Sequence, residues 1–233
     1  MHPLNTQPVS KPDLAPDGAL DVFRVWETLQ GEGPFSGTPS VFVRLSGCNM
    51  RCPKCDTDYT SYSSRVSPEE LLRVVQSFPT GSRKGGIVTI TGGEPFRQNI
   101  GEFARLCFAH DLSVHVETNG TMFPPECWVL PLFIVCSPKA ATVDQAMRSH
   151  VKVLKYVLKA EDVDPSDGLP KSVLGYDHPP ARPWPGFKGL VIVQPMDEGD
   201  PALNKANEQA AIRSAMKFGY RFQIQLHKLV GLE

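Results

Sequence analysis

Residues 40–60 read SVFVRLSGCNMRCPKCDTDYT. The first part, 40–47, is apolar and rich in Val and Phe, the pattern of a buried strand. It delivers the chain directly into a loop carrying Cys48, Cys52 and Cys55 at the spacing C-x3-C-x2-C, with no fourth cysteine nearby. A structural zinc site takes four ligands, and the nearest histidines, His110 and His115, lie more than fifty residues on. CPKC has the spacing of a redox thiol pair, but such a pair normally opens a helix and would leave Cys48 without a role. Three thiolates on one face of a four-iron cubane leave one iron open to another ligand, which gives the missing cysteine a purpose.

Outward from this loop, strand and helix patterns alternate. Upstream, DVFRVWETLQ (21–30) reads as a strand that stops at the Gly/Pro loop GEGPFSGTP. Downstream, SPEELLRVVQSF (67–78) opens with Ser67 as N-cap, Pro68 at N1 and Glu70 at N3, a capping box ahead of apolar 3/4 spacing. Further strands are predicted within 85–95, 112–120, 130–139, 151–159, 189–197 and 221–231, and further helices within 98–111 and 202–219. Strands of this composition, interleaved with helices, indicate a parallel sheet, open or closed into a barrel. Their C-terminal ends carry the unusual residues: GCNMRC, TGGEP, ETNG, CSPK, QPMD and QLHK. Ligands of parallel α/β folds sit at that edge, so these loops are expected to converge on one site.

Residues 1–20 hold four prolines and little periodicity, and read as a flexible or surface-draped N-terminal extension. The remainder, 21–233, reads as one domain with a Pro-rich insertion or lid loop at about 161–188. At 233 residues and 41% hydrophobic content the chain can bury a sizeable core. A net charge of -1 gives no electrostatic case for nucleic acid or a membrane surface, so a small ligand is expected. No apolar run reaches membrane-spanning length and the first twenty residues lack a secretory pattern, which points to the cytoplasm. Cys107, Cys127 and Cys136 lie in apolar contexts and read as buried thiols outside any disulfide framework.

The cysteine triplet, together with TGGEP (91–95) some forty residues on, resembles the radical S-adenosylmethionine superfamily. Four further stretches resemble one family within it, the 7-carboxy-7-deazaguanine synthases: TLQGEGPFSGTPSVFVRLSGCN (28–49), CDTDYT (55–60), SPK (137–139) and QIQLHKLVG (223–231). The resemblance implies an α/β fold, a partial TIM-like barrel of parallel strands with outer helices. It also implies a lyase of deazapurine (queuosine-type) biosynthesis that contracts 6-carboxy-5,6,7,8-tetrahydropterin with loss of ammonia. The implied cofactors are a 4Fe-4S cluster, S-adenosylmethionine and Mg2+. The implied partners are the pterin substrate, an electron donor such as flavodoxin or ferredoxin, and a second copy in a homodimer.

Residue by residue, the resemblance assigns Cys48, Cys52 and Cys55 to the cluster and Thr57 to magnesium, a hard cation that needs few protein oxygens. Lys54, Cys55, Asp56, Gly93, Glu94, Ser137, Pro138, Lys139, Gln194 and Asp197 fall to S-adenosylmethionine. Lys54 departs from the pattern, which commonly has an aromatic residue there. Leu29, Gln30, Gly31, Arg44, Thr91, His227 and the terminal Glu233 fall to the pterin, Arg44 offering its carboxylate a bidentate fork. Glu117, at a strand end with Asn119, is expected to contact the pterin ring as the catalytic group. Two alternatives share parts of this pattern. A glycyl-radical-enzyme activase has the triplet and the Gly-Gly-Glu turn without TLQGEG, and a non-catalytic zinc or iron-sulfur module needs only the cysteines.

Overall fold

The computed structural model describes residues 4–232. Its strands are β1 (Leu20–Leu29), β2 (Pro39–Leu45), β3 (Ser64–Val66), β4 (Ile87–Gly92), β5 (Ser113–Thr118), β6 (Phe133–Cys136), β7 (Val151–Leu158), β8 (Leu190–Pro195) and β9 (Arg221–Phe222). They form one sheet in the order β3-β1-β2-β4-β5-β6-β7-β8-β9. From β2 to β9 every pairing is parallel, while β1 pairs antiparallel with both β2 and β3. The expected α/β parallel core is present, and the antiparallel hairpin at its start is an addition. A loop of nine residues between Leu29 and Pro39 is too short for a crossover, so the second strand has to run back along the first.

Parity along the strands separates two faces. On the outer face, Val41, Val43 and Leu45 of β2, Val88 and Ile90 of β4, Val114 and Val116 of β5 and Leu154, Tyr156 and Leu158 of β7 join one large buried core. The helices cover that face. They are α1 (Pro68–Gln76), the short α2 (Pro79–Ser82), α3 (Gly101–Ala109) and α4 (Pro201–Phe218). The Ser67 side chain accepts from Glu70 N, as the capping box predicts. Asp200 caps α4 in the same way, and Gly219 ends it at φ 75°. The connections β5–β6, β6–β7 and β7–β8 hold no α-helix, only turns and short 3-10 segments. Alternation of strands with helices is therefore incomplete in the second half.

Inner-face positions are polar toward the strand C-termini: Arg44 on β2, Thr91 on β4, Glu117 on β5, Lys155 on β7 and Gln194 on β8 all line one cavity. Its floor is apolar and aromatic. Val135, Val153 and Ile192 form a small buried cluster, and His115 stacks between Phe35 and Phe133 with ring centroids 4.4 and 5.0 Å away.

The end of the sheet differs from the expectation. The last strand is only Arg221–Phe222, and His227 lies on a helical turn, α5 (Leu226–Leu229), because Leu226 N donates to Gly31 O and leaves the sheet. The N-terminal segment from residue 4 is draped against the cysteine loop by hydrogen bonds along its length, such as Ser10 N to Cys48 O at 2.7 Å. The 161–188 segment is packed too: Leu169, Val173 and Ala181 are buried, and Arg182 pairs with Asp167 at 2.7 Å. All six cysteines are free, and Cys107, Cys127 and Cys136 are buried thiols.

Candidate active site

A cavity of about 830 Å3 opens at the C-terminal ends of the strands. That volume suits a cofactor with a small substrate beside it. Cys48, Cys52, Cys55 and Thr57 line one wall. Burial pushes the Cys48 thiol up to about 12, and the nearby Glu94, Cys52 and Cys55 add to the rise; burial also raises Cys52 and Cys55. Thr57 Oγ1 lies 3.3 Å from Asp56 Oδ1, so hydroxyl and carboxylate oxygens stand together beside the thiols.

β4 ends against this loop. A Cβ on Gly93 would lie 2.4 Å from Gly47 O and 2.6 Å from Cys48 Cβ, and one on Gly92, at φ 151°, would lie 2.3 Å from Leu45 O. Only glycines allow that approach. Glu94, next in line, does not face the cavity. It is fully buried and accepts from Phe96 N, Thr118 Oγ1 and Asn119 N at 2.7–3.0 Å. Burial raises its carboxyl to about 7 against these donors. Its geometry is that of a brace holding the β4 turn to the end of β5.

On the opposite wall Lys139 Nζ donates to Ser137 O at 2.9 Å and Ser137 Oγ at 2.6 Å, and both side chains line the cavity. Burial lowers Lys139, and nearby Cys52 opposes the shift. Pro138 between them is buried and off the cavity wall. Gln194 and Asp197 line the wall from β8 and the turn after it. Asp197 accepts from Lys228 Nζ at 3.0 Å and is held well below the carboxylate range by Gly199 N, Lys228 and Asn204. Lys54 lines the mouth with its ammonium 3.9 Å from Glu198. Its backbone N–H donates to Leu174 O of the Pro-rich insertion at 2.9 Å, and Leu174 itself lines the cavity in a left-handed conformation, φ 41°. An apolar side chain thus reaches the place where Lys54 supplies no aromatic ring.

Leu29, Gln30, Gly31, Arg44, Thr91, Glu117 and His227 all line the same cavity, and Glu233 lies outside the described residues. The Arg44 guanidinium lies over the Trp26 ring at 5.1 Å. Gly31 makes room for His227, whose Nδ1 would be 1.9 Å from any Cβ there. Gln30 Nε2 donates to Glu117 Oε1 at 3.3 Å.

Sequence reasoning missed the polar cluster beneath these groups. Lys155 pairs with Glu32 and stands 3.9 Å from Glu117. Gln225 and Gln194 also donate to Glu32 Oε1, at 2.7 and 3.2 Å. Burial alone would raise Glu32, but Lys155 and the hydrogen bonds from Lys155 and Gln225 outweigh it and hold the carboxyl at about 2. Burial raises Glu117, with Lys155 pulling it back and Glu32 adding to the rise. Lys155 is held up by both carboxylates in spite of burial. A signal was present: within VKVLKYVL a lysine falls at the parity of Val153 and Val157, on the face opposite the exposed Lys152.

Residues 42–128 match the family model of the Radical SAM superfamily. The chain is 42% identical to a 7-carboxy-7-deazaguanine synthase of Rhodospirillum rubrum over 97% of each chain. It is 34% identical to one of Rickettsia prowazekii over 94% of this chain and 92% of that one. The fold is similar to the crystal structure of QueE from Escherichia coli, with a TM-score of 0.65 at 21% identity over 90% of this chain and 95% of that chain. Likeness across almost the full length, together with three thiols at the mouth of a half-barrel cavity, leads to one conclusion: the chain belongs to the 7-carboxy-7-deazaguanine synthase family.

Proposed function

We propose that this chain is a radical S-adenosylmethionine lyase that converts 6-carboxy-5,6,7,8-tetrahydropterin to 7-carboxy-7-deazaguanine with release of ammonia. The observation that carries the reading is the convergence of the cysteine triplet, the Gly92-Gly93 cradle, Arg44 and Glu117 on one cavity, in a chain with full-length relatives of that name. The donor set fits a cluster: three thiols, two of them buried, line one cavity, with the glycine turn packed closely against their loop. Cys48, Cys52 and Cys55 would hold it, leaving one iron for S-adenosylmethionine. When bound and supplied with one electron by a reductant, the two together would supply hydrogen-atom abstraction chemistry beside the pterin.

The protein's own part is placement and exclusion of water. Lys139, with Ser137, offers an ammonium and a hydroxyl to the carboxylate or ribose of S-adenosylmethionine, and Gln194 and Asp197 stand where its adenine would lie. Arg44 pairs with the pterin carboxylate. Gln30 and Glu117 face the ring: Glu117 offers acceptor oxygens to ring N–H groups, and burial raises its carboxyl while Lys155 opposes the rise. His227 closes the ring site from α5, and Thr57 supplies a hard oxygen for Mg2+. We further propose a homodimer in the cytoplasm, supplied with electrons by a flavodoxin or ferredoxin. No helix among the described residues is long and apolar enough to cross a membrane.

The test is anaerobic reconstitution, followed by incubation with S-adenosylmethionine, reductant, Mg2+ and 6-carboxytetrahydropterin. Mass spectrometry is expected to find 7-carboxy-7-deazaguanine. A protein with an intact cluster and no product would sink the proposal.

A further inference from the structure

The segment from Leu4 to Asp13 contains no helix or strand, yet it is tied along its length to the loop that carries the three cysteines. That loop has no regular structure between Cys48 and Thr60, so its peptide groups need partners from elsewhere. The segment supplies them. Asn5 N donates to Pro53 O at 2.8 Å, and Asn5 Nδ2 to Cys52 O at 3.2 Å and Tyr59 Oη at 3.3 Å. Gln7 uses both ends of its amide: Nε2 donates to Thr57 O at 2.8 Å, while Oε1 accepts from Tyr59 N at 2.8 Å and Thr60 Oγ1 at 3.0 Å. Ser10 N donates to Cys48 O at 2.7 Å.

The far end of the segment is anchored to the rigid part of the fold. Arg97, buried beside the β4 turn, donates from Nη1 to Lys11 O at 2.8 Å, and its carbonyl accepts from Asp13 N at 2.7 Å. Arg65 of β3 pairs with Asp13 at 2.6 Å. Within the loop, Tyr59 is almost fully buried, its hydroxyl donating to Met50 O at 3.4 Å and its carbonyl accepting from Gly47 N at 2.8 Å, while Lys54 N and Arg51 N donate to Leu174 O and Tyr176 Oη at 2.9 and 3.2 Å.

We infer that Leu4–Asp13 is a strap that sets the cluster-binding loop, with Asn5 and Gln7 as positioning residues for Cys48, Cys52 and Cys55. This rests on the reading that those cysteines hold a cluster. A loop with no internal ladder loses much conformational freedom when it ligates a metal group, and a strap that has already ordered its carbonyls removes that cost from the binding step. The four backbone carbonyls held are those of Cys48, Cys52, Pro53 and Thr57, which span the ligand set.

The test compares full-length wild type with N5A/Q7A. Both are reconstituted anaerobically, iron is counted, and its transfer to an excess of a ferrous chelator is timed; thermal unfolding of both apoproteins is followed by circular dichroism. The expected result is iron release roughly tenfold to a hundredfold faster in the variant, the loss of several hydrogen bonds to a partly buried loop, with the apoprotein midpoints within a few degrees. Gln7→Glu keeps the two acceptor bonds and loses the donation to Thr57 O; it should release iron severalfold faster, and it decides the matter if the double variant is insoluble. Equal release rates, or release that only follows a parallel drop in the apoprotein midpoint, would overturn the strap. A wild type that takes up no iron removes the cluster reading, and the strap with it, a result distinct from equal rates.

Discussion

Glu94 is a fully buried carboxylate and Glu117 a half-buried one on the cavity wall, and their partners give them opposite roles. Glu94 has a donor for each oxygen and faces away from the cavity, whereas Glu117 has one amide, Gln30, at 3.3 Å and a lysine at 3.9 Å. The turn TGGEP pointed to the first and ETNG to the second, but residue type alone could not separate a brace from a wall. His115 lies two residues before Glu117 on the same face, buried between Phe35 and Phe133, and burial pushes its pKa down from 6.5 to about 4. The unfolded chain therefore binds this proton more readily than the folded one, so the stability held at neutral pH is lost as pH falls from 6.5 toward 4. Between pH 7 and pH 5 the loss should be about 2 kcal/mol from this group. His115→Phe should remove that acid dependence, checked by urea denaturation of both apoproteins at the two pH values.

At the scale of elements, the strand endings decide where chemistry sits. β2 and β4 run parallel with Arg44 opposite Thr91 and Leu45 opposite Gly92, so the cysteine loop leaves one strand as the glycine turn leaves its neighbour. The two turns touch because Gly93 has no side chain: a Cβ there would meet Gly47 O at 2.4 Å. Gly93→Ala should thus push the two loops apart while leaving the strands paired. The expected outcome is roughly tenfold or greater weakening of S-adenosylmethionine binding, measured by equilibrium dialysis on the reconstituted protein, with an unchanged far-ultraviolet spectrum. The pairing of the triplet with TGGEP was legible in the sequence, since both motifs follow strand patterns. The identity of the last element was not. RFQIQLHKLVG alternates like a strand, yet beyond Gln223, whose N–H still donates to Val193 O, it turns helical because its backbone bonds go to Gly31 and to itself.

For the molecule as a whole, the sheet is open between β3 and β9, and polar contacts span what strand pairing does not. Glu32 after β1, Lys155 on β7 and Gln225 beyond β9 meet in one buried group, while Gly33 N donates to Gln223 Oε1 at 2.6 Å. Removing only Lys155 would leave Glu32 and Glu117 as partly buried acids without their counter-charge. Lys155→Met should cost about 3–5 kcal/mol in urea denaturation of the apoprotein at pH 7. The double variant Lys155→Met with Glu32→Gln should recover most of that loss, because both members of the ion pair are then neutral. If the single and double variants are equally unstable, packing of the lysine stem, and not charge, holds the two ends together.

Local spacing determined the cysteine triplet, the glycine turn, the helix caps and the strand patterns, because each is written within a few residues. The tertiary structure decided what depends on contacts between remote segments. Lys155 is a cavity residue only because Glu32, 123 positions away, reaches it. The N-terminal segment, polar and without periodicity, is ordered by its bonds to the carbonyls of Cys48, Cys52, Pro53 and Thr57 in a loop some forty residues away. Periodicity records which face of an element is buried; it carries no information about which distant chain segment completes the hydrogen bonds.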